Sequence, residues 1–178
     1  DNDTFSLWYM QEVEGYRTDV RVVNLELLIS DWYIDQMKQP KNQSPPLPLS
    51  LEDYAGEANM VIQPFAPMTV ELPADSAALV QNGVLTPEET TWADSVMRWE
   101  VPGRGGGRYL LRKDSVLINL LRNVAADGWQ RPVYFANTLI PSSFLNLDNY
   151  LRLEGLAYRV VPVAASEQTP EDLYYGWV

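Results

Sequence analysis

The segment DVRVVNLELLIS, residues 19–30, constrains the fold more than any other part of the sequence. It is rich in valine and leucine but lacks a regular alternation of polar and apolar residues. This pattern is typical of a strand that is buried on both faces of a sheet. Helical spacing of apolar residues precedes it from Phe5 to Val13, and the helical pattern DWYIDQMK begins at Asp31. The order helix, strand, helix with short joints is typical of α/β proteins.

The second half of the chain returns to this pattern. The clearest helix is DSVLINLLRNVAADG, residues 114–128, whose apolar residues fall on one face. Strands are predicted on either side of it, for RYLLRK and for RPVYFANT, residues 131–138. A further helical stretch is expected from Pro141 to Gly155. AYRVVPV predicts a last strand at a sheet edge, because Pro162 cannot donate to a ladder.

Residues 39–110 interrupt the regular elements. They begin with QPKNQSPPLPLSLEDYAGEA, whose prolines favour an extended and irregular backbone. Short strands are expected within them, together with one short helix whose start is marked by a capping box of Thr86 and Glu89. The sequence therefore predicts one α/β domain over residues 1–178. In it a small, mostly parallel, Rossmann-like sheet is flanked by helices and carries an irregular proline-rich insertion.

The composition excludes several classes of function. The net charge is −11, with 24 acidic and 13 basic residues, which argues against nucleic acid or an anionic membrane surface as partner. The chain has no histidine, so Ser-His-Asp catalysis and histidine ligation of metals are impossible within it. It has no cysteine, which excludes disulfides, thiolate zinc sites and thiol nucleophiles.

Polar side chains stand where predicted strands end and helices begin. They are, in chain order, Asp1, Asn2, Asp3, Thr4, Ser30, Asp31, Asn137 and Thr138. In open α/β sheets the carboxyl ends of parallel strands meet at one edge, so we expect these residues to line one crevice. Their oxygen atoms suit a divalent cation, with Asp1 and Asp3 as its ligands, or the hydroxyls of a sugar. The alternative interpretation is that they serve only as helix caps.

Four segments carry a resemblance to a known family. They are DNDTFSLWYMQEVEGYRTDVRVVNLELL, DWYIDQM, DGWQRPVYFANT and LRLEGLAYRVVPV. These segments resemble the soluble C-terminal region of a bacterial family of multi-spanning membrane proteins, domain of unknown function 2723, which is grouped with the protein O-mannosyltransferases. In that family a glycine and an apolar strand precede the Asp-Asn-Asp-Thr motif, so we expect that the sequence begins at a cut made in a longer protein.

The resemblance implies a role for the chain within a larger protein. The parent would be a glycosyltransferase that takes a sugar from a lipid carrier, modifies Ser/Thr of exported proteins, and holds its catalytic acid outside this chain. The chain would be an extracytoplasmic, periplasmic accessory domain of an inner-membrane protein that needs no cofactor and has no activity of its own. Its expected partners are the parent transmembrane domain and exported acceptor proteins or sugar, and not nucleic acid.

The residues that match the motifs of this family have no assigned chemistry. They are Asp1, Asn2, Asp3, Thr4, Trp8, Tyr9, Trp129, Arg131, Pro132, Tyr134, Phe135, Glu154, Gly155, Leu156 and Tyr158. Among them Arg131 is expected to hold a carboxylate in a bidentate pair, with Asp3 or Asp31 as its partner. Two alternatives to the accessory domain remain open: an independent enzyme domain that binds a divalent metal or a sugar through Asp1 and Asp3, and a purely structural interaction module.

Overall fold

The computed structural model describes residues 2–50, 61–62, 67–91 and 93–164. Its α-helices are α1 (Asn2–Glu12), α2 (Asp31–Met37), α3 (Ser76–Gln81) and α4 (Arg112–Ala126). Its strands are β1 (Val61–Ile62), β2 (Met68–Pro73), β3 (Val96–Val101), β4 (Leu110–Leu111), β5 (Tyr134–Ala136), β6 (Leu151–Glu154) and β7 (Ala157–Val160). Turns of 3-10 helix span Leu25–Ile29, Glu89–Thr91, Pro141–Phe144 and Asp148–Tyr150.

The strands form three small sheets, and every strand pair in the described part of the chain is antiparallel. The predicted α/β fold with a mostly parallel, Rossmann-like sheet is therefore wrong. The sheets are β1–β4, β2–β3 and β5–β7–β6, each built from strands of six residues or fewer. The chain divides into two compact units, residues 1–63 with 110–120 and residues 64–109 with 121–178.

In the first unit, the segment 19–30 is not the buried strand that its composition predicts. Its second half is a 3-10 turn that begins after Asn24, whose side-chain oxygen accepts a hydrogen bond from the backbone N–H of Glu26 at 3.0 Å. Asparagine side chains compete in this way with extended backbone pairing. Leu28 is fully buried, so the apolar residues of the segment serve a core without joining a sheet.

In the first unit, helix α1 ends and helix α2 begins close to the predicted positions. Gly15 has a φ of +65°, and beyond it the N–H of Tyr16 donates to the carbonyl of Met10 at 3.0 Å. This left-handed residue closes α1, as a glycine after a helix commonly does. Tyr33 and Ile34 are the most buried residues of α2.

In the second unit, β2 and β3 form a ribbon in which one face is buried. Met97, Trp99 and Val101 are buried along β3 and alternate with exposed residues. Val70 lies opposite Trp99 in the antiparallel register, and it is fully buried. This period of two is typical of a strand with one face toward a core and the other toward water.

The three-stranded sheet of the second unit differs from two predictions. Strand β7 lies between β5 and β6, not at an edge, because Pro162 falls beyond the end of the strand at Val160. The stretch from Pro141 to Gly155 is not one helix. Leu145 and Asn146 both have left-handed backbone, with φ of +52° and +64°, which ends any helix at that point.

The longest helix, α4, is confirmed. It buries the predicted apolar residues, which are Val116, Leu117, Leu120, Leu121 and Val124. Asp114 accepts a hydrogen bond from the N–H of Leu111 at 3.0 Å, which satisfies a free donor at the helix start. The predicted capping box is also confirmed: Glu89 accepts from the N–H of Thr86 at 2.6 Å, and Thr86 Oγ1 accepts from the N–H of Glu89 at 3.3 Å.

Candidate functional site

The first predicted site residues belong to helix α1 itself. The helix begins at Asn2, so Asp3 and Thr4 lie within its first turn and do not precede it. Asp3 is exposed, and Thr4 Oγ1 accepts a hydrogen bond from Asn24 Nδ2 at 3.4 Å. Asp1 and the side chain of Asn2 lie outside the described residues. Thr4 thus ties the helix to the segment that follows it.

Ser30 and Asp31 lie at the start of α2, where the sequence predicts a cap. Ser30 is the N-cap residue, although its side chain makes no capping hydrogen bond. The Asp31 carboxylate forms an ion pair with Arg112, whose side chain is only 4% exposed. The Arg112 guanidinium also donates to the carbonyl of Ile29 at 3.4 Å. The arginine paired with Asp31 is therefore Arg112, and the expected pairing of Arg131 with Asp3 or Asp31 stays a prediction.

A second ion pair joins the same two regions of the first unit. Lys113 Nζ lies 2.5 Å from Glu26 Oε1. Lys113 and Arg112 are consecutive at the start of α4, while Glu26 lies within the 3-10 turn and Asp31 is the first residue of α2. We call these four residues the α2 clamp. Because each carboxylate already has a cationic partner, the clamp is suited to holding the turn in place.

The remaining predicted residues, Asn137 and Thr138, lie in an exposed turn after β5 in the second unit. The N–H of Asn137 donates to the carbonyl of Leu156 at 3.4 Å. Since the described strands form no parallel sheet, the geometric reason for gathering all eight residues in one crevice no longer holds. Within the described residues no group of three or more acidic side chains is placed to hold a metal ion.

A small cleft lies in the first unit beside α1. Trp8, Arg21, Met37 and Lys41 are among its lining residues. Its cavity volume is about 20 Å³, which is room for one or two water molecules and too little for a sugar ring. Arg21 Nη2 donates to the carbonyl of Gln39 at 2.8 Å, and burial lowers the pKa of Arg21. This cleft is consequently a small gap in the packing, lined by the fixed side chain of Arg21.

Tyr33 is the most buried polar side chain near this cleft, with 1% of its surface exposed. Its hydroxyl accepts a hydrogen bond from the backbone N–H of Asn24 at 2.8 Å. Burial raises the pKa of Tyr33, and this hydrogen bond and the charge of Arg21 oppose the shift. The buried phenol is therefore a structural anchor for the segment that carries Asn24.

In the second unit the buried charges are also paired. Glu89 and Arg152 form an ion pair in which the two side chains are 9% and 15% exposed. The indole of Trp129, one of the family-motif residues, donates to the carbonyl of Pro73 at 2.9 Å. Trp129 is 3% exposed and has a φ of +59°, an unusual conformation for a bulky residue. These groups fix the fold, and their contacts are non-local and have no sequence signal.

Sequence reasoning did not identify the outward face of α1. Phe5 and Tyr9 lie one turn apart on one side of the helix, and Val13, directly after its last residue, continues the same spacing. They are 63%, 56% and 63% exposed. The periodicity of apolar residues was a signal for this stripe, but it does not tell which side of a helix faces the solvent.

The arrangement defines a small protein of helices and short antiparallel sheets, without a catalytic constellation in the residues described above. The model of one protein family, TMEM260-associated domain 2, matches residues 1–66 and 54–175. The chain belongs to this family, and it is an accessory domain associated with a membrane protein. No curated protein and no solved structure matches it. None of the helices in the described residues has the length and apolar character needed to cross a bilayer.

Proposed function

We propose that the chain is the extracytoplasmic accessory domain of a membrane-bound, glycosyltransferase-like protein of the O-mannosylation type. In this role it binds or presents the acceptor polypeptide, and the transfer chemistry takes place elsewhere in the parent protein. The observation that carries the proposal is the family match, which spans nearly the whole chain. The transferase character comes from the resemblance of the motifs at both ends of the sequence.

The placement of the charged side chains supports a role without chemistry. The three buried charged residues whose contacts are described, Glu89, Arg112 and Asp114, each bind a partner within the fold. Catalytic acids and bases need an accessible face toward a substrate. Charges that are already satisfied by neighbouring groups are better suited to stabilising a binding domain.

Peptide titration monitored by NMR chemical shifts tests the acceptor role. The probe is an unstructured peptide rich in serine and threonine, and the control is the same peptide with alanine at every serine and threonine. We expect shifts confined to one contiguous surface with the first peptide and clearly smaller shifts with the second. Because single hydroxyl hydrogen bonds are worth about 1 kcal/mol each, several of them are needed for a measurable preference.

Two results would contradict this role. One is the absence of shifts with either peptide at millimolar concentration. The other is equal shifts with both peptides, which would mean that the domain does not recognise the hydroxyl groups that are modified. A titration with Mg²⁺, Mn²⁺ and Ca²⁺ tests the enzyme alternative separately, since a metal at 100 times its Kd adds about 2.7 kcal/mol to the free energy of unfolding.

A further inference from the structure

The three-stranded sheet of the second unit has β7 at its centre and β6 at one edge. The N–H of Val160 in β7 donates to the carbonyl of Val133, on the side of β5, at 2.9 Å. The N–H of the next residue, Val161, donates to the carbonyl of Tyr150, on the side of β6, also at 2.9 Å. Successive residues along β7 therefore bond to β5 and β6 in turn, as an antiparallel ladder requires.

This alternation determines where the backbone groups of β6 point. Leu151 lies opposite Val160 and Leu153 lies opposite Tyr158, and both of these β7 residues bond toward β5. The backbone groups of Leu151 and Leu153 therefore point away from β7, at the outer edge of the sheet. The N–H of Leu151 donates to the carbonyl of Asp148. The carbonyl of Leu151 and both backbone groups of Leu153 have no hydrogen-bond partner within the described residues.

Other strand edges of this unit are closed by neighbouring groups. At β3, the hydroxyl of Tyr150 accepts from the N–H of Arg98 at 3.2 Å and donates to its carbonyl at 2.8 Å. At β2, Pro73 has no N–H, and its carbonyl accepts from the indole of Trp129. At β5, the carbonyl of Ala136 bonds within the turn that follows. Natural sheets protect their edges in such ways, so the open edge of β6 stands out among these strands.

The groups at the edge of β6 are those that a strand offers to a further strand. Leu153 provides one donor and one acceptor, and the carbonyl of Leu151 lies two residues away, at a spacing of about 6.8 Å for extended backbone. An extended polypeptide presents donors and acceptors at the same spacing. Its side chains would alternate between the face of Leu153 and the face of Arg152, so backbone pairing leaves its sequence largely free.

We propose that β6 binds an extended segment of the acceptor polypeptide as an added strand. The inference rests on the proposed accessory role, which requires a surface that accepts unstructured polypeptides. Main-chain pairing gives affinity without demanding one particular sequence, which suits a domain that presents many different acceptors. The strand has only four residues, so the contact is short and the bound segment can leave again.

A second copy of this chain fits the same edge less well. Each copy carries a net charge of −11, and two such molecules repel each other as they approach. Stable interfaces between folded proteins bury about 1,200–2,000 Å² in total, and one four-residue edge provides little of that contact. An uncharged, unstructured segment meets neither obstacle.

Amide hydrogen exchange measured by NMR on the whole chain tests the added strand. The probe is the peptide rich in serine and threonine, and its control is the same peptide with every backbone amide N-methylated. We expect the N–H of Leu153 to exchange at least about tenfold more slowly with the first peptide, and chemical shifts to change along β6. The N-methylated peptide keeps its hydroxyl groups but donates no backbone hydrogen bond, so we expect it to bind at least about tenfold more weakly.

Two variants of Leu153 test the same contact from the side of the domain. Leu153→Pro removes the unpaired donor, and proline is tolerated on edge strands where the N–H points away from the sheet. Leu153→Ala is the matched control, because it shortens the side chain and keeps the donor. We expect Leu153→Pro to weaken the serine and threonine peptide at least about tenfold and Leu153→Ala to change it less than about threefold. If Leu153→Pro does not fold, the N-methylated peptide still tests the pairing on the unchanged chain.

Three results would overturn strand addition. They are equal binding of the N-methylated peptide, chemical shifts that change away from β6, and slow exchange of the Leu153 N–H before any peptide is added. The last result would mean that another segment of the chain or a second copy already covers the edge. Equal binding at β6 of the serine and threonine peptide and its alanine counterpart would instead contradict hydroxyl recognition and leave strand addition standing.

Discussion

The two units treat apolar and charged side chains differently. In the second unit the apolar residues of β3 point alternately into a core, and the Glu89–Arg152 pair is buried with them. In the first unit α1 presents its apolar stripe to the solvent, and the Asp31 carboxylate of the α2 clamp is 77% exposed. The buried face of β3 and the Glu89–Arg152 pair thus stabilise the second unit from within, whereas the exposed side chains of α1 add little to the stability of the first.

The largest expected effect is the loss of the buried ion pair in the second unit. Arg152→Ala leaves the Glu89 carboxylate buried without its cation, and we expect it to lower the free energy of unfolding by about 3–5 kcal/mol. The control is Arg98→Ala, because Arg98 pairs with Glu71 at 2.8 Å with both side chains more than half exposed. It should cost about 1 kcal/mol or less.

Urea denaturation measures both changes, and hydrogen exchange shows which unit loosens. If Arg152→Ala costs no more than Arg98→Ala, the buried pair does not stabilise the second unit and the contrast between the units fails. Exchange that rises only in the first unit after Arg152→Ala would likewise contradict it.

The second largest expected loss of stability comes from truncating a buried leucine, and a half-exposed leucine serves as the comparison. Leu121 on α4 is fully buried, while Leu7 on α1 is 48% exposed. Leu121→Ala leaves a cavity and should cost about 2–5 kcal/mol. Leu7→Ala removes the same atoms from a partly exposed site, and we expect a cost of about 1 kcal/mol or less. Urea denaturation of both variants checks the difference, and equal costs would show that α1 is packed as tightly as α4.

Removing the hydroxyl of Tyr33 is expected to lower the stability of the first unit by an intermediate amount. Tyr33→Phe leaves the N–H of Asn24 without its acceptor, and we expect a loss of about 1–3 kcal/mol. Burial raises the pKa of Tyr33, so the neutral phenol is favoured in the folded state. Its contribution is fully present below the ordinary tyrosine pKa of about 10, and it is lost as the pH rises through the raised value.

The free energies of unfolding of the wild-type chain and of Tyr33→Phe should therefore converge at alkaline pH. Denaturation of the wild-type chain and of Tyr33→Phe in parallel, from about pH 8 upward, isolates this titration from that of other groups. A constant difference between the two curves up to the alkaline limit would show that the phenol of Tyr33 does not resist ionisation.

Local signals predicted α1, α2, α4 and one capping box, but they missed α3 and predicted a helix over 141–155 that does not form. α4 was predictable because its apolar spacing and start agree, and the capping box of Thr86 and Glu89 is a contact between residues three apart. The segment 19–30 failed because a strand needs a neighbour elsewhere in the chain, and Asn24 offered a local alternative. Pairing across the chain is set by packing that no short window contains.

The candidate site was harder to predict for the same reason. Ser30 and Asp31 were placed correctly at the start of α2, because capping is local. Arg112 is 81 positions from Asp31 in the chain, so no local sequence pattern indicates that the two residues form an ion pair. The spacing of Phe5 and Tyr9 revealed a helix face, but the contacts of Thr4 and Gln11 on the other side of the helix determine that this face points outward.

The smallest expected effect on stability belongs to Phe5 on α1. Phe5→Ser replaces a side chain that is 63% exposed, so we expect the free energy of unfolding to change by no more than about 0.5 kcal/mol. Urea denaturation of this variant checks that value. A loss of several kcal/mol would mean that Phe5 stabilises the first unit itself, through its ring contact with Trp8 at 5.8 Å.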